Sequence, residues 1–277
     1  KLMKVALCLS GQPRLIPECA PYILENMCVG YDVDVFFHFW FDEKLQTQPY
    51  KYGGDGGWEK QRISPSAIED ALSIYKPKLY KTEESKTFRD NTLHTDYAYY
   101  PDTARIVPWS VHWQESEEPD YISRMVNNWM SYHYSVNQVN LLRKEYEYAN
   151  DFKYDWVVKL RSDCEPRQKI QYEQYDKSVV NYSGWLNQPD GMINDWLDFG
   201  GSRAMDVFMS TFNYMEILME RCKKEFGGAW SNEMLHRKAL DVFGIDHQPP
   251  RKSLPTSGFF SKSFPGPAIA VCPETRT

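Results

Sequence analysis

Tyr154-Asp155-Trp156-Val157-Val158-Lys159-Leu160-Arg161-Ser162-Asp163-Cys164-Glu165-Pro166 is the stretch on which the fold turns. Its first half is an apolar run rich in β-branched and aromatic residues, which reads as a buried strand over 154–160. Its second half becomes polar at once, as a chain does where it leaves a sheet for a loop. The opening of the chain repeats the pattern: 5–9 is continuously apolar and stops at Ser10-Gly11-Gln12-Pro13-Arg14. A third run, 33–41, ends at Asp42 and Glu43, and shorter strands are expected over 178–185 and 245–247.

Helical patterns separate these runs. Residues 16–27 read as a helix despite Pro17 and Pro21. Ser64-Pro65 marks another helix start, with Ile68, Ala71, Leu72 and Tyr75 on one face. The longest helix is expected over 121–148, where Ile122, Met125, Trp129, Tyr132, Val136, Val139 and Tyr146 recur at spacings of three and four. Ser202 is expected to cap a helix whose Met205, Phe208, Met209, Phe212, Met215 and Met219 face the core as packing residues. A last helix is expected over 231–244. The aperiodic stretches 42–63 and 85–119, rich in Gly, Tyr, Trp, Asp and Thr, read as long loops that serve a site. Strands alternating with helices give an α/β sandwich with a mostly parallel central sheet, and no break in composition divides residues 1–277 into more than one domain.

Composition narrows the function. The 277 residues are 42% hydrophobic and 25% charged, which suits a globular core. A net charge of −6 without a long Lys/Arg cluster argues against nucleic acid as a partner. No apolar run reaches the roughly 18 residues of a membrane span, and no leader pattern precedes the first strand, so the expected location is the cytoplasm. The six cysteines are dispersed without C-x-x-C spacing and are expected to be reduced packing residues.

In open α/β sheets ligands bind beyond the carboxyl ends of the strands. There Ser10, Gly11, Gln12 and Arg14 form a loop that could seat a nucleotide, although it lacks both G-x-G-x-x-G and the P-loop pattern. It could equally be a plain strand-to-helix turn. Asp163 and Glu165, one residue apart just past a buried strand, offer the oxygen ligands a hard cation such as Mn²⁺ or Mg²⁺ prefers, the rest of its shell coming from water and phosphate. Arg161 could instead be the ion-pair partner of Asp163. His247, after the last strand, could add a nitrogen ligand to that metal. Asp195 and Asp198, flanking Trp196 and Leu197, could supply the base that an acceptor hydroxyl needs, with Trp196 as a stacking face, or could merely satisfy a turn. Glu233 could hold acceptor hydroxyls, or simply favour a helix dipole. His38 and His133 read as hydrogen-bonded packing residues.

Lys4 to Arg14, Tyr154 to Asp163, and Asp195 to Ser202 followed by Met205 together resemble the small GT-A glycosyltransferases of bacterial surface-polysaccharide clusters and of large DNA viruses that glycosylate their capsids. The resemblance runs from the first strand to Glu233. It implies a GT-A fold, a nucleotide-sugar donor held by the first loop with Arg161, Ser162 and Asp163, a glycan acceptor, and for a viral member the host cytoplasm. It also implies a D-x-D-type metal site, matched by Asp163-Cys164-Glu165 with Glu replacing the second Asp. The turn from Asp195 to Gly200 matches the family's acceptor side, whose acid is the base in inverting members; Asp195 and Asp198 both qualify. Relatives that decorate capsids include xylosyl- and rhamnosyltransferases, and the expected donor is a UDP-sugar, UDP-xylose or UDP-glucose first, transferred with inversion. A nucleotidyltransferase or nucleotide-sugar hydrolase could use the same site, and the nine Trp and nineteen Tyr would also suit a non-catalytic carbohydrate-binding protein.

Overall fold

Along β1 (Lys4–Gly11) successive side chains enter two different cores, and this builds the molecule in three layers. Val5, Leu7 and Leu9 point to one side, Ala6 and Cys8 to the other. A strand with period two and no polar face must be covered twice. The structure, a computed structural model, describes residues 2–47, 63–86, 88, 121–182, 193, 195–226, 232–248 and 259–261, without the side chains of 121–126, 223, 226, 247–248 and 259–261.

In chain order the elements are β1, α1 (Ile16–Ile23), β2 (Asp32–Trp40), α2 (Glu43–Thr47), α3 (Ala67–Tyr75), β3 (Leu79–Glu83) and α4 (Tyr121–Ala149). There follow β4 (Trp156–Arg161), β5 (Cys164–Pro166), β6 (Val180–Tyr182), β7 (Leu197–Gly200), α5 (Ser202–Met209), α6 (Met215–Phe226), α7 (Asn232–Phe243), β8 (His247–Gln248) and β9 (Phe259–Ser261). The main sheet has the order β3-β2-β1-β4-β7-β6-β8. β1 to β4 run parallel, β7 is antiparallel to both its neighbours, and β6 and β8 are parallel to each other. β5 and β9 form a separate antiparallel pair. The α/β sandwich with a mostly parallel sheet is therefore present.

On one face α1 and α3 press Ile16, Ile23, Ala71 and Tyr75 onto Leu7, Phe37, Val158 and Phe199. On the other, α4 and α5 press Val136, Val139, Met205 and Phe208 onto Cys8, Phe36 and Val157. A third cluster joins Trp129 and Met130 of α4 to Met215, Met219 and Leu235.

Local details differ from the sequence reading. The helix expected after Ser202 is two helices: Thr211 donates to the Phe208 carbonyl at 2.7 Å and a 3₁₀ turn over Thr211–Tyr214 separates them, while Met205, Met209, Met215 and Met219 are buried as expected. Ser202 is not its cap; Gly201 precedes the helix, and the Ser202 hydroxyl reaches the Tyr154 carbonyl at 3.0 Å instead. Ser64 gives way to Ser66 ahead of a helix that begins at Ala67. The helix begun at Ile16 passes at Leu24–Cys28 into a π turn. β5 and β7 stand where the sequence reads as a loop and a glycine turn, and β3 where it suggests no element. Within 178–185 only Val180–Tyr182 is strand among the described residues, and most of the two long loop regions lies outside them. A Cβ on Gly200 or Gly201 would lie 2.6 Å from the Val179 carbonyl or 2.7 Å from that of Lys177, so glycine is what lets this corner close.

The inner face of α4 also carries Arg143, which is fully buried. Its guanidinium meets Glu147 at 2.9 Å and is bonded to Asp206 and to Asn140. Glu147 in turn accepts from the Tyr154 amide at 3.0 Å and from Lys153 at 2.8 Å, which fixes the start of β4. Removing one partner of a buried pair strands the other. Arg143→Met is expected to lower the unfolding free energy by about 3–5 kcal/mol; urea denaturation of this variant and of Arg143→Met/Glu147→Gln, which should lose less than the two single changes added together, checks it.

Candidate functional site

The carboxyl ends of β1 and β4 lie side by side, and the loops beyond them are stitched together. Gly11, at φ +103°, uses a conformation that favours glycine, and its amide donates to the Ser135 hydroxyl of α4 at 2.8 Å. The Ser162 hydroxyl accepts from the Arg14 amide at 3.1 Å and lies 3.0 Å from the Gln12 carbonyl and 3.1 Å from that of Arg14. Gln12 accepts from Arg14 Nε at 2.9 Å. Ser10 is buried at the strand end. Ser135 continues the chain of contacts to His38 Nδ1 at 2.8 Å, and His38 Nε2 faces Glu83 at 3.3 Å. Burial works against a charged Glu83, yet hydrogen bonds from Lys81, Lys86, His38 and Tyr134 draw its pKa down to about 2. His38 is the hydrogen-bonded packing residue its context suggested.

Asp163 is 1% exposed and answers Arg161 with both oxygens, Nε to Oδ1 at 3.0 Å and Nη2 to Oδ2 at 2.8 Å. Arg14 Nη1 approaches the same carboxylate at 3.8 Å, and Arg161 Nη1 lies 4.0 Å from Asp195. Burial alone would discharge Arg161, but Asp163 and Asp195 raise its pKa well above the ordinary value and keep it charged. Glu165, in β5, is held by Arg167 at 3.0 Å. The donor set as placed does not fit a divalent cation. Each carboxylate is engaged by a guanidinium two residues away, and among the described residues no three His, Cys, Asp or Glu side chains converge on one point. His247 opens β8, three strands from β4 and roughly 14 Å across the sheet, and its side chain lies outside the described residues.

The two acceptor-side aspartates are in unlike places. Asp195 precedes β7, and its carboxylate is 20% exposed. Asp198 is inside β7, directly opposite Lys159 of β4, and both are 0% exposed. Lys159 Nζ stands 3.4 Å from Asp198 Oδ2, donates to the Asp195 carbonyl, and lies 4.8 Å from the centre of the Tyr132 ring. Burial, reinforced by the charges of Asp195 and Glu233 and opposed by Lys159, lifts the Asp198 pKa to about 8. Trp196 is 5% exposed and packs in the core under β7, so its face is not offered to a ligand. Glu233, in the first turn of α7, is half-buried.

Above Lys159 sit groups that the sequence reading did not connect. Tyr132 Oη meets His236 Nε2 at 3.0 Å, and His236 stacks on Phe208 with ring centres 3.8 Å apart. His133 is fully buried and edge-on to His236 at 4.5 Å; contrary to expectation, neither of its ring nitrogens has a hydrogen-bond partner among the described residues. Burial, with Lys159 adding to it, depresses the His133 pKa to about 3. The local clue was Lys159 itself, a cation inside an otherwise apolar strand. A cavity of about 670 Å³ opens at the opposite end of the sheet, among Lys4, Phe152, Trp156, Tyr175 and Lys177, and none of the site residues above lines it.

These shifts have opposite consequences. Folded Asp198 keeps its proton up to about pH 8 whereas the unfolded carboxyl loses it near 3.8, so this group costs stability as pH rises between those values. Folded His133 refuses a proton until about pH 3 while an unfolded imidazole takes one near 6.5, so it costs stability as pH falls across that window. Melting temperature is expected to fall less steeply with rising pH between about 4 and 8 in Asp198→Asn, and less steeply with falling pH between about 6.5 and 3 in His133→Asn.

No protein-family model matches the chain, and no curated protein matches it. Among solved structures the chain is similar to mouse xyloside xylosyltransferase 1 in its apo form, at a TM-score of 0.41 and 8% identity over 89% of this chain and 84% of that one.

Proposed function

We propose that this chain is a glycosyltransferase that moves a sugar, xylose or glucose first, from a UDP donor to a glycan hydroxyl with inversion. The observation that carries this reading is the convergence of Arg14, Arg161, Asp163 and Asp195 within contact distance at the carboxyl ends of two adjacent parallel strands. Such a cluster offers two guanidinium groups to diphosphate oxygens and one accessible carboxylate to a hydroxyl. The resemblance of Lys4–Arg14, Tyr154–Asp163 and Asp195–Ser202 with Met205 to small GT-A glycosyltransferases supports the same reading.

In this reading Ser10, Gly11 and Gln12 hold the nucleotide side, and Arg14 and Arg161 offset the charge that develops on the diphosphate. Asp163 orients both guanidiniums. Asp195 takes the proton of the acceptor hydroxyl as that oxygen bonds to the anomeric carbon; the bond from that carbon to the diphosphate oxygen breaks, and its electron pair leaves with the nucleotide. Mn²⁺ or Mg²⁺, if bound at Asp163 with Glu165, would compete with Arg161 for the same carboxylate, and no step here is routed through it.

UDP is expected to raise the melting temperature of the protein, and Arg161→Met to abolish that rise; repeating the measurement with Mn²⁺ shows whether a cation adds to it. With UDP-xylose or UDP-glucose and an oligosaccharide, Asp195→Asn is expected to lower kcat by about 10²–10⁴ while KM for the donor changes little. NMR of the product reads the anomeric configuration, and retention would remove the base assignment. Turnover that no acceptor accelerates would instead mark a hydrolase.

A further inference from the structure

The antiparallel register of β4 and β7 sets Lys159 opposite Asp198 on the face turned to α4, with no route from either side chain to water. Placing an ammonium there is costly, and an apolar side chain of similar volume would fill the space at no such cost. Its contacts show what the charge achieves. One direction goes to Asp198, one to the face of Tyr132, and one to the main-chain carbonyl of Asp195, three residues before Asp198. The next residue on the same face of β4, Arg161, grips the same turn: its amide donates to the Trp196 carbonyl at 3.1 Å and its Nη1 faces the Asp195 carboxylate at 4.0 Å.

We propose that Lys159 and Asp198 form a buried clamp that positions Asp195, and that Asp198 is not itself the base. This inference rests on the glycosyltransferase reading for the role of Asp195, but not for the clamp. Asp198 cannot be reached by an acceptor hydroxyl without lifting α4, whereas Asp195 can. Asp198 gives the Lys159 ammonium an acceptor oxygen at 3.4 Å, and Lys159 supplies the donor that fixes the Asp195 backbone. Lys159 and Asp198 are positioning residues. A carboxylate that accepts a proton from a bound hydroxyl must be held to within about 0.5 Å, and a short segment ahead of a four-residue strand does not hold itself that well.

Two measurements separate the possibilities. In hydrogen exchange, Lys159→Met is expected to speed exchange in residues 195–198 by roughly tenfold while residues 5–9 stay protected. Lys159→Met/Asp198→Leu removes both buried polar groups without stranding either, so it folds if the single variant does not, and it is expected to show the same local loss. Wild-type protection of 195–198 in the double variant would overturn the clamp. In transfer from UDP-xylose, Lys159→Met is expected to lower kcat by about tenfold or more with donor KM nearly unchanged, and azide to restore activity to Asp195→Gly but not to Asp198→Gly. Rescue of Asp198→Gly alone would make Asp198 the base and overturn the assignment. If the wild type transfers no sugar from UDP-xylose or UDP-glucose, the proposed function fails, and hydrogen exchange still decides the clamp.

Discussion

A helix laid along a sheet buries whatever its inner face carries, and the inner face of α4 is polar: His133, Ser135, Asn137, Asn140, Arg143 and Glu147 are all buried. Buried polar groups must be answered or they cost stability. The answers organise the molecule. Arg143 and Glu147 tie the helix to the start of β4 and, through Asp206 and Ser202, to α5. At the middle of the helix, Ser135 receives the Gly11 amide and meets His38. Further back, Tyr132 covers Lys159 and reaches His236. The same helix thus anchors the start of β4 at one end and backs the candidate site at the other.

The two-sided core was legible because β1, β2 and β4 are apolar on both faces along most of their length, a pattern that only a doubly covered strand needs. β3 escaped notice for the converse reason: it is an edge strand, mostly exposed, and its Lys81 and Thr82 look like loop. β7 escaped because four residues ending at the first of two glycines read as a turn, while its place in the sheet depends on pairing with β4 nearly forty residues earlier. Long-range register is not written in local periodicity.

The site shows the same division. Asp195, Asp198, Arg161 and Asp163 could be named from the sequence, but their roles were set by neighbours that spacing does not reveal. Asp198 faces Lys159 only once β7 is antiparallel to β4. Asp163 could be weighed as a cation ligand or as the partner of Arg161; in the structure it is the partner of Arg161, with Arg14 close by. Trp196 looked like a stacking platform, yet just ahead of β7 it is buried in the cluster that packs on the α1 side of the sheet. Lys159 was visible as an anomaly, a charge within an apolar run, and such anomalies locate what a fold protects.

The last residues of β4 divide their attention. Lys159 and Arg161 hold the segment at Asp195, while Ser162 and Asp163 hold the loop after β1. One short rod is therefore the common wall of both half-sites. Neither loop can shift without dragging the other, so a displacement of the chain after β1 is transmitted to the segment at Asp195 through the end of a single strand.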